Sequence, residues 1–157
     1  MSPEPAAKPA ARPCSIAAAL QVLGERWALL AVRELFYGNH RFEQIVRNTG
    51  APRDRLTNRL RALEEAGVLE RRQYQDRPVR HEYHLTEAGR QLAPVVQALR
   101  VWGDRWMVEE PPVTLHHHGH RVDPSWSCRE CGEELSRGGL TLEIHSPGWR
   151  HDGPVPD

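Results

Sequence analysis

Four histidines, His116, His117, His118 and His120, precede a C-x-x-C-G segment, Cys128 to Gly132, with His118 ten positions before Cys128. Thiolates and imidazoles at such spacing are zinc ligands, and a C-x-x-C-G turn is a common knuckle. The favoured set is Cys128, Cys131, His118 and His116, with His120 as the other choice for the fourth position. Two thiolates and two imidazoles close a tetrahedral shell, so the Zn2+ would be structural. A metal-free tail and a dithiol redox pair are the alternatives. A zinc with an open position would make a small metalloenzyme, with Glu130 or Glu133 as base, but the segment lacks apolar residues to wall a pocket. The third cysteine, Cys14, stands alone just before a helix-forming run. There, free N–H groups would favour its thiolate, whereas a buried, inert thiol is the plain alternative.

Lysine plus arginine and aspartate plus glutamate both total 21, yet the charge is uneven. Residues 1–106 hold 17 basic and 12 acidic side chains, and residues 107–157 hold 4 and 9, giving +5 and −5. A modest basic excess becomes an electrostatic footprint only where arginines cluster on one element. Two places qualify. In residues 53–66, Arg53, Thr57, Asn58 and Arg61 can donate hydrogen bonds to bases or phosphates; an ordinary solvated helix with an Arg61–Glu65 pair is the alternative. Arg59 lies nearer the apolar edge. In residues 71–80, Arg77 and Arg80 flank Pro78 and Val79, suited to phosphates or a narrow minor groove, with Arg71 and Arg72 behind them.

The elements that position these groups follow from periodicity. Residues 1–13 are rich in Pro and Ala and are expected as a disordered arm. Ser15 caps a first helix that ends at Gly24, and residues 26–37, apolar nearly all round, form a mostly buried second helix before Gly38. A short third helix covers residues 41–48. From Pro52, Leu56, Leu60 and Leu63 recur at i, i+4, i+7 until Gly67, which sets Asp54, Asn58, Arg61 and Glu65 on the opposite face. Residues 68–75 and 81–85 read as strands of a hairpin with a basic tip at 76–80. Thr86 starts a last helix carrying Leu92, Val95, Val96, Leu99, Trp102 and Trp106, in which Pro94 is a candidate kink. Trp27, Trp102 and Trp106 read as core or seam rather than as a ligand cage. The sum is a mainly α protein with a small β-hairpin, a winged helix-turn-helix over residues 14–106. Residues 107–157 form a small zinc-ribbon-like appendage with one short strand expected at 140–144. No nucleotide-cradling G-x-x-x-x-G-K-[ST] or G-x-G-x-x-G is present. The N-terminus lacks the apolar centre of a secretory signal and no run approaches a membrane span, so a cytoplasmic protein is expected.

Cys14, Leu23-Gly-Glu-Arg-Trp27, Arg41-Phe-Glu-Gln-Ile45, Leu56-Thr-Asn-Arg-Leu60, Leu63-Glu-Glu-Ala-Gly-Val-Leu69 and Glu82-Tyr-His-Leu-Thr-Glu-Ala-Gly89 follow one another in an order that resembles the HxlR-type helix-turn-helix regulators, winged-helix relatives of the MarR group. The resemblance covers about residues 14–106. It implies a homodimeric, cytoplasmic, DNA-binding transcriptional regulator whose dimer contacts come from the first and last helices. Leu99, Trp102 and Trp106 would then line the seam, and a pseudo-palindromic operator would match the two-fold. It also implies that Cys14 senses oxidants or electrophiles. A zinc-binding protein-interaction adaptor on the same scaffold is the main alternative. The effector is not legible.

Overall fold

The computed structural model describes residues 11–135 and 139–155, so all but the last three residues of the expected N-terminal arm lie outside the described residues. The chain divides into two units, Ala19–Pro124 and the described residues up to Ala18 and from Ser125 on. The division falls at 124 rather than at 106, and it leaves His116 to His120 in the first unit and Cys128 and Cys131 in the second. No single described helix is long and apolar enough to cross a membrane.

The larger unit is mainly helical with a small antiparallel hairpin. Helix α1 (Ser15–Leu23) straddles the division and sends Leu23 into the core. Helix α2 (Arg26–Phe36) buries Ala28, Ala31, Val32 and Leu35, the consequence of a helix apolar around most of its circumference. Helix α3 (Phe42–Thr49) opens with the Gln44 side chain accepting the Arg41 N–H at 3.0 Å and closes at Gly50, whose φ of 69° a side chain would strain. Three residues later α4 (Arg53–Glu65) begins, with Pro52 before its first turn.

Leu56, Leu60 and Leu63 are the anchors of α4, at most 1% exposed, and pack with Val32, Leu35 and Ile45. Burying each leucine stabilises the fold by roughly 1.5–3 kcal/mol. Truncating Leu60 to alanine would therefore cost about 2–5 kcal/mol with the cavity included.

Strands β1 (Leu69–Asp76) and β2 (Val79–Leu85) pair antiparallel from Leu69↔Leu85 to Asp76↔Val79, with an irregularity at Tyr74. The tip is a two-residue turn, Arg77 and Pro78, shorter than the five-residue tip expected, because pairing continues through Asp76 and Val79. Arg41 bridges to Glu82, and the Tyr83 N–H donates to the His40 carbonyl at 2.9 Å, which ties the hairpin to the entry of α3.

The expected last helix is two. Helix α5 (Glu87–Arg90) is capped by Thr86, whose hydroxyl accepts the Gly89 N–H at 3.2 Å and donates to the Gly67 carbonyl at 2.6 Å. A turn at Gln91 and Leu92 intervenes, and α6 (Ala93–Trp106) starts with Pro94 in its first turn. There the missing proline N–H has no partner to lose, so Pro94 opens a helix instead of kinking one. Gly89 is required by proximity: a Cβ would sit 2.1 Å from the Val68 carbonyl oxygen.

Beyond α6, β3 (His116–His117) and β4 (His120–Arg121) form a minimal hairpin. His118 at φ 48° and Gly119 at φ 82° make its turn, the double left-handed geometry of the tightest hairpins. In the smaller unit a bridge between Ser127 and Glu134 closes around Cys128 and Cys131. Residues 140–144 form no strand, contrary to expectation. Leu140 and Leu142 are more than 70% exposed, and an unpaired apolar run has no ladder to join.

Candidate nucleic-acid interface

Because three leucines lock one side of α4 into the core, the other side is held outward. Asp54, Arg55, Thr57, Asn58, Arg61 and Glu65 are all exposed there, while Arg59 is half-buried. The Thr57 hydroxyl donates back to the Arg53 carbonyl at 2.8 Å, which leaves its oxygen free to accept. Among the described residues, Arg55, Asn58 and Arg61 make no side-chain hydrogen bond or ion pair, and the pairing weighed between Arg61 and Glu65 does not form. Such donors, on a helix slim enough for the major groove, can be spent on base edges or phosphates.

Arg53 stands apart from the other three. Its Nη1 and Nη2 donate to Glu43 Oε2 and Oε1 at 2.8 and 2.6 Å, and its guanidinium lies over the Phe42 ring, 5.0 Å from the centroid. Hydrogen bonding from Arg53 holds the Glu43 carboxyl below its usual range and raises Arg53 in turn. Sequence reasoning missed Glu43. Its only signal is an acid in the first turn of one helix and an arginine in the first turn of the next.

The wing sorts its arginines the same way. Arg71 pairs with Glu64 at 3.2 Å, and Arg72 pairs with Glu70. Arg41, also missed, pairs with Glu82 at 3.1 Å and lies over Tyr74. Arg77 and Arg80 are exposed at the tip with no ion-pair partner among the described residues; Gln75 Nε2 donates to the Arg77 carbonyl at 2.9 Å, which steadies the turn. The tip thus presents free charge, and the strand below it carries neutralised charge.

A third missed residue is Glu34, 2% exposed in the last turn of α2. Its Oε1 accepts from Arg33 at 2.7 and 3.0 Å, and its Oε2 accepts from Asn39 and Asn48, each at 2.8 Å. Four donors fill both carboxylate oxygens, as a buried charge demands, and the network fastens α2 to α3.

On α6 the apolar positions Leu99, Trp102 and Trp106 are 52, 56 and 62% exposed, and the helix has no fully buried residue. Single exposed hydrophobics are ordinary, but aligned large ones mark a surface that meets a partner.

In the smaller unit Cys14 is exposed, not buried, at the start of α1. Backbone N–H groups of Ala17 and Ile16, with a lesser contribution from Arg12, lower its thiol pKa. Cys128 and Cys131 share one turn, with the Gly132 N–H donating to the Cys128 carbonyl at 2.8 Å and Gly132 at φ 73°. The N–H groups of Cys131 and Glu130 lower the Cys128 thiol. Among the described residues of either unit, no three His, Cys, Asp or Glu side chains gather as a metal-binding group.

Comparison with known proteins accords with this geometry. The HxlR-like helix-turn-helix family model matches residues 22–111. An HTH-type transcriptional regulator of Mycobacterium tuberculosis is 46% identical over 140 residues, covering 87% of this chain and 88% of the relative. The crystal structure of PA1607, assigned as a transcription factor, superposes with a TM-score of 0.75 at 30% identity, covering 83% of this chain and 94% of that one. The redox regulator HypR in its reduced form gives a TM-score of 0.55 at 32% identity, covering 61% of this chain and 98% of that one. The chain belongs to the HxlR-like helix-turn-helix family and is a transcriptional regulator of helix-turn-helix type.

Proposed function

We propose that this regulator binds a pseudo-palindromic operator as a homodimer, with α4 in the major groove and the wing tip on the backbone or in the minor groove. One observation carries the reading: Asn58 and Arg61 stand unpaired on the face of α4 that the leucine anchors turn outward. Asn58 can pair two-point with adenine and Arg61 with guanine, while Thr57 and Arg53 border the helix entry. Arg77 and Arg80 supply phosphate contacts. The exposed face of Leu99, Trp102 and Trp106 is where a second copy would pack, setting two α4 helices one turn of DNA apart, roughly 10 bp. Cys14 is its redox or electrophile input, supported by its exposure and its helix-start N–H groups, and in keeping with HypR being a redox regulator. The protein acts by binding and not by catalysis.

Selection of bound sites from random DNA tests this. An inverted repeat should emerge, and affinity for it should fall steeply with added salt as released counterions are counted. Enrichment of no sequence over random DNA would overturn the reading in favour of a protein-interaction adaptor.

A second reading concerns the tail. The spacing of His116, His118 and His120 ahead of Cys128 and Cys131 along the chain, with the two cysteines sharing one turn, supports a structural Zn2+ held by two thiolates and two imidazoles. Metal analysis of protein purified without chelator should give about one zinc per chain. It should fall to none in the Cys128→Ser, Cys131→Ser double variant, with operator binding retained. Metal-free protein with the same protease resistance across residues 116–132 would refute it.

A further inference from the structure

The outward face of α4 carries one charge of the wrong sign for the backbone of DNA in its first turn. Asp54 is exposed there, on the same side as Asn58 and Arg61, and its carboxylate has no hydrogen-bond or ion-pair partner among the described residues. Neither neighbouring arginine neutralises it. Arg53 gives both terminal nitrogens to Glu43, and Arg55 sits about 100° round the helix, on the flank shared with Arg59. A carboxylate without a counter-charge is repelled by phosphates, so it lowers affinity for DNA of any sequence unless a donor on the DNA meets it.

The major groove offers such a donor in two forms. An ionised aspartate only accepts hydrogen bonds, and the base-edge donors of that groove are the amino groups at cytosine N4 and adenine N6. The two are not equal. Adenine N6 stands between N7 of its own ring and O4 of the paired thymine, two acceptors that repel a carboxylate, whereas cytosine N4 has an acceptor on one side only, O6 of the paired guanine. A fully charged acceptor therefore favours cytosine. Recognition helices meet base edges with their N-terminal residues, and Asp54 is the second residue of α4. Asn58 follows about one turn on, roughly 6 Å along the axis, which is the rise of about two base pairs. We infer that Asp54 reads a cytosine in each half-site, accepting from its N4 amino group within about two base pairs of the position that Asn58 contacts.

This rests on the operator-binding reading and adds rejection to it. Thymine or guanine at that place sets an acceptor against the carboxylate, so Asp54 excludes bases as well as choosing one. Glu65 provides a comparison within the same helix. It carries the same charge on nearly the same line, rotated by about 20°, but eleven residues and about 16 Å nearer the C-terminus, beyond the residues with which such helices meet bases. That position supplies repulsion without reading.

The test compares the full-length parent with Asp54→Ala, Asp54→Asn and Glu65→Ala at one fixed salt concentration. Each is measured on the sequence the parent selects from random DNA, on every single-base change within a half-site, and on random DNA. In the parent one position should demand cytosine, with a loss of about fivefold or more for any other base. Asp54→Ala should level that position while binding random DNA about two- to fivefold more tightly, since a repelled charge has gone. Asp54→Asn should turn the preference there from cytosine to adenine, whose N6 and N7 an amide matches. Glu65→Ala should share the gain on random DNA and move no base preference. An aspartate that only steadied the first turn of α4 would show itself as a lowered melting temperature and an equal loss on every sequence, which overturns the inference. An operator whose base preferences survive Asp54→Ala refutes the inference alone, whereas a parent that enriches no sequence refutes the operator reading and takes this inference with it.

Discussion

Arg53 and Glu43 meet in a two-point ion pair across the turn between α3 and α4, so the first turn of each helix is clamped to the other. One of the arginines expected from the sequence to reach DNA is thus already engaged within the fold. Arg53→Ala should lower operator affinity less than Asn58→Ala or Arg61→Ala does, in a direct gel-shift comparison. The pair also carries a pH signature. Because Arg53 lowers the Glu43 pKa, its stabilisation is present above the ordinary glutamate value and lost as pH falls through the lowered one. In carboxyl-detected NMR the Glu43 midpoint should lie below that of a free glutamate and rise in Arg53→Ala; an unchanged midpoint would dissolve the clamp.

For the outward face of α4, replacing Asn58 or Arg61 by alanine should weaken operator binding by about 1–3 kcal/mol and relax discrimination at one base position in each half-site. Binding of both variants to a panel of single-base operator changes reads this out. Equal losses on operator and random DNA would make the two side chains phosphate contacts.

For α6, the Trp102→Ala, Trp106→Ala double variant should sediment as a monomer where the parent sediments as a dimer, and operator affinity should drop with it. Both rings are more than half exposed, so their removal leaves the core of the unit intact and its thermal unfolding little changed. A parent that is monomeric at micromolar concentration would break the link between this face and a two-fold operator.

Cys14 should react with a thiol-specific alkylating agent faster than a free cysteine at neutral pH, since a lowered pKa means more thiolate there. The rate should reach half its plateau at a pH below the free-thiol value. Cys14→Ser should bind the operator yet no longer respond to oxidant. Labelling no faster than a free cysteine would mark the thiol as inert.

The fold was legible where one physical rule governs a stretch of chain. Leu56, Leu60 and Leu63 with Gly67 announce α4 and its outward face because burial and helical period coincide there. Legibility failed where two rules compete. Pro94 is compatible with a kinked helix or with the first turn of a new one, and the fold takes the latter, with a turn at Gln91 and Leu92 before it. At the wing, residues 76–80 read as the hairpin tip, yet pairing runs up to Asp76 and Val79 and leaves a two-residue turn. Partnerships across space left almost no mark: Glu43 lies ten residues before Arg53, signalled only by its place in a helix's first turn, and Glu34 sits among apolar neighbours on α2 while its donors Asn39 and Asn48 come from the next loop and helix. The site was therefore read as a set of side-chain types, without knowing which were already committed.

The break between α5 and α6 gives the molecule a fulcrum. Helix α5 is pinned at Gly89, pressed so closely on the Val68 carbonyl that no side chain fits between, while α6 runs on from it with no fully buried residue of its own. Fourteen residues at 1.5 Å each make α6 a rigid arm of about 21 Å, so a tilt of about 5° at its base swings the Trp106 end by about 2 Å. If a second copy packs at that end as proposed, a displacement of that size would carry its recognition helix out of step with a groove while leaving the leucine core as it is. Run backwards, the same gearing would let whatever grips the far end of the arm bear on the wing root at Val68, where the short arm ends.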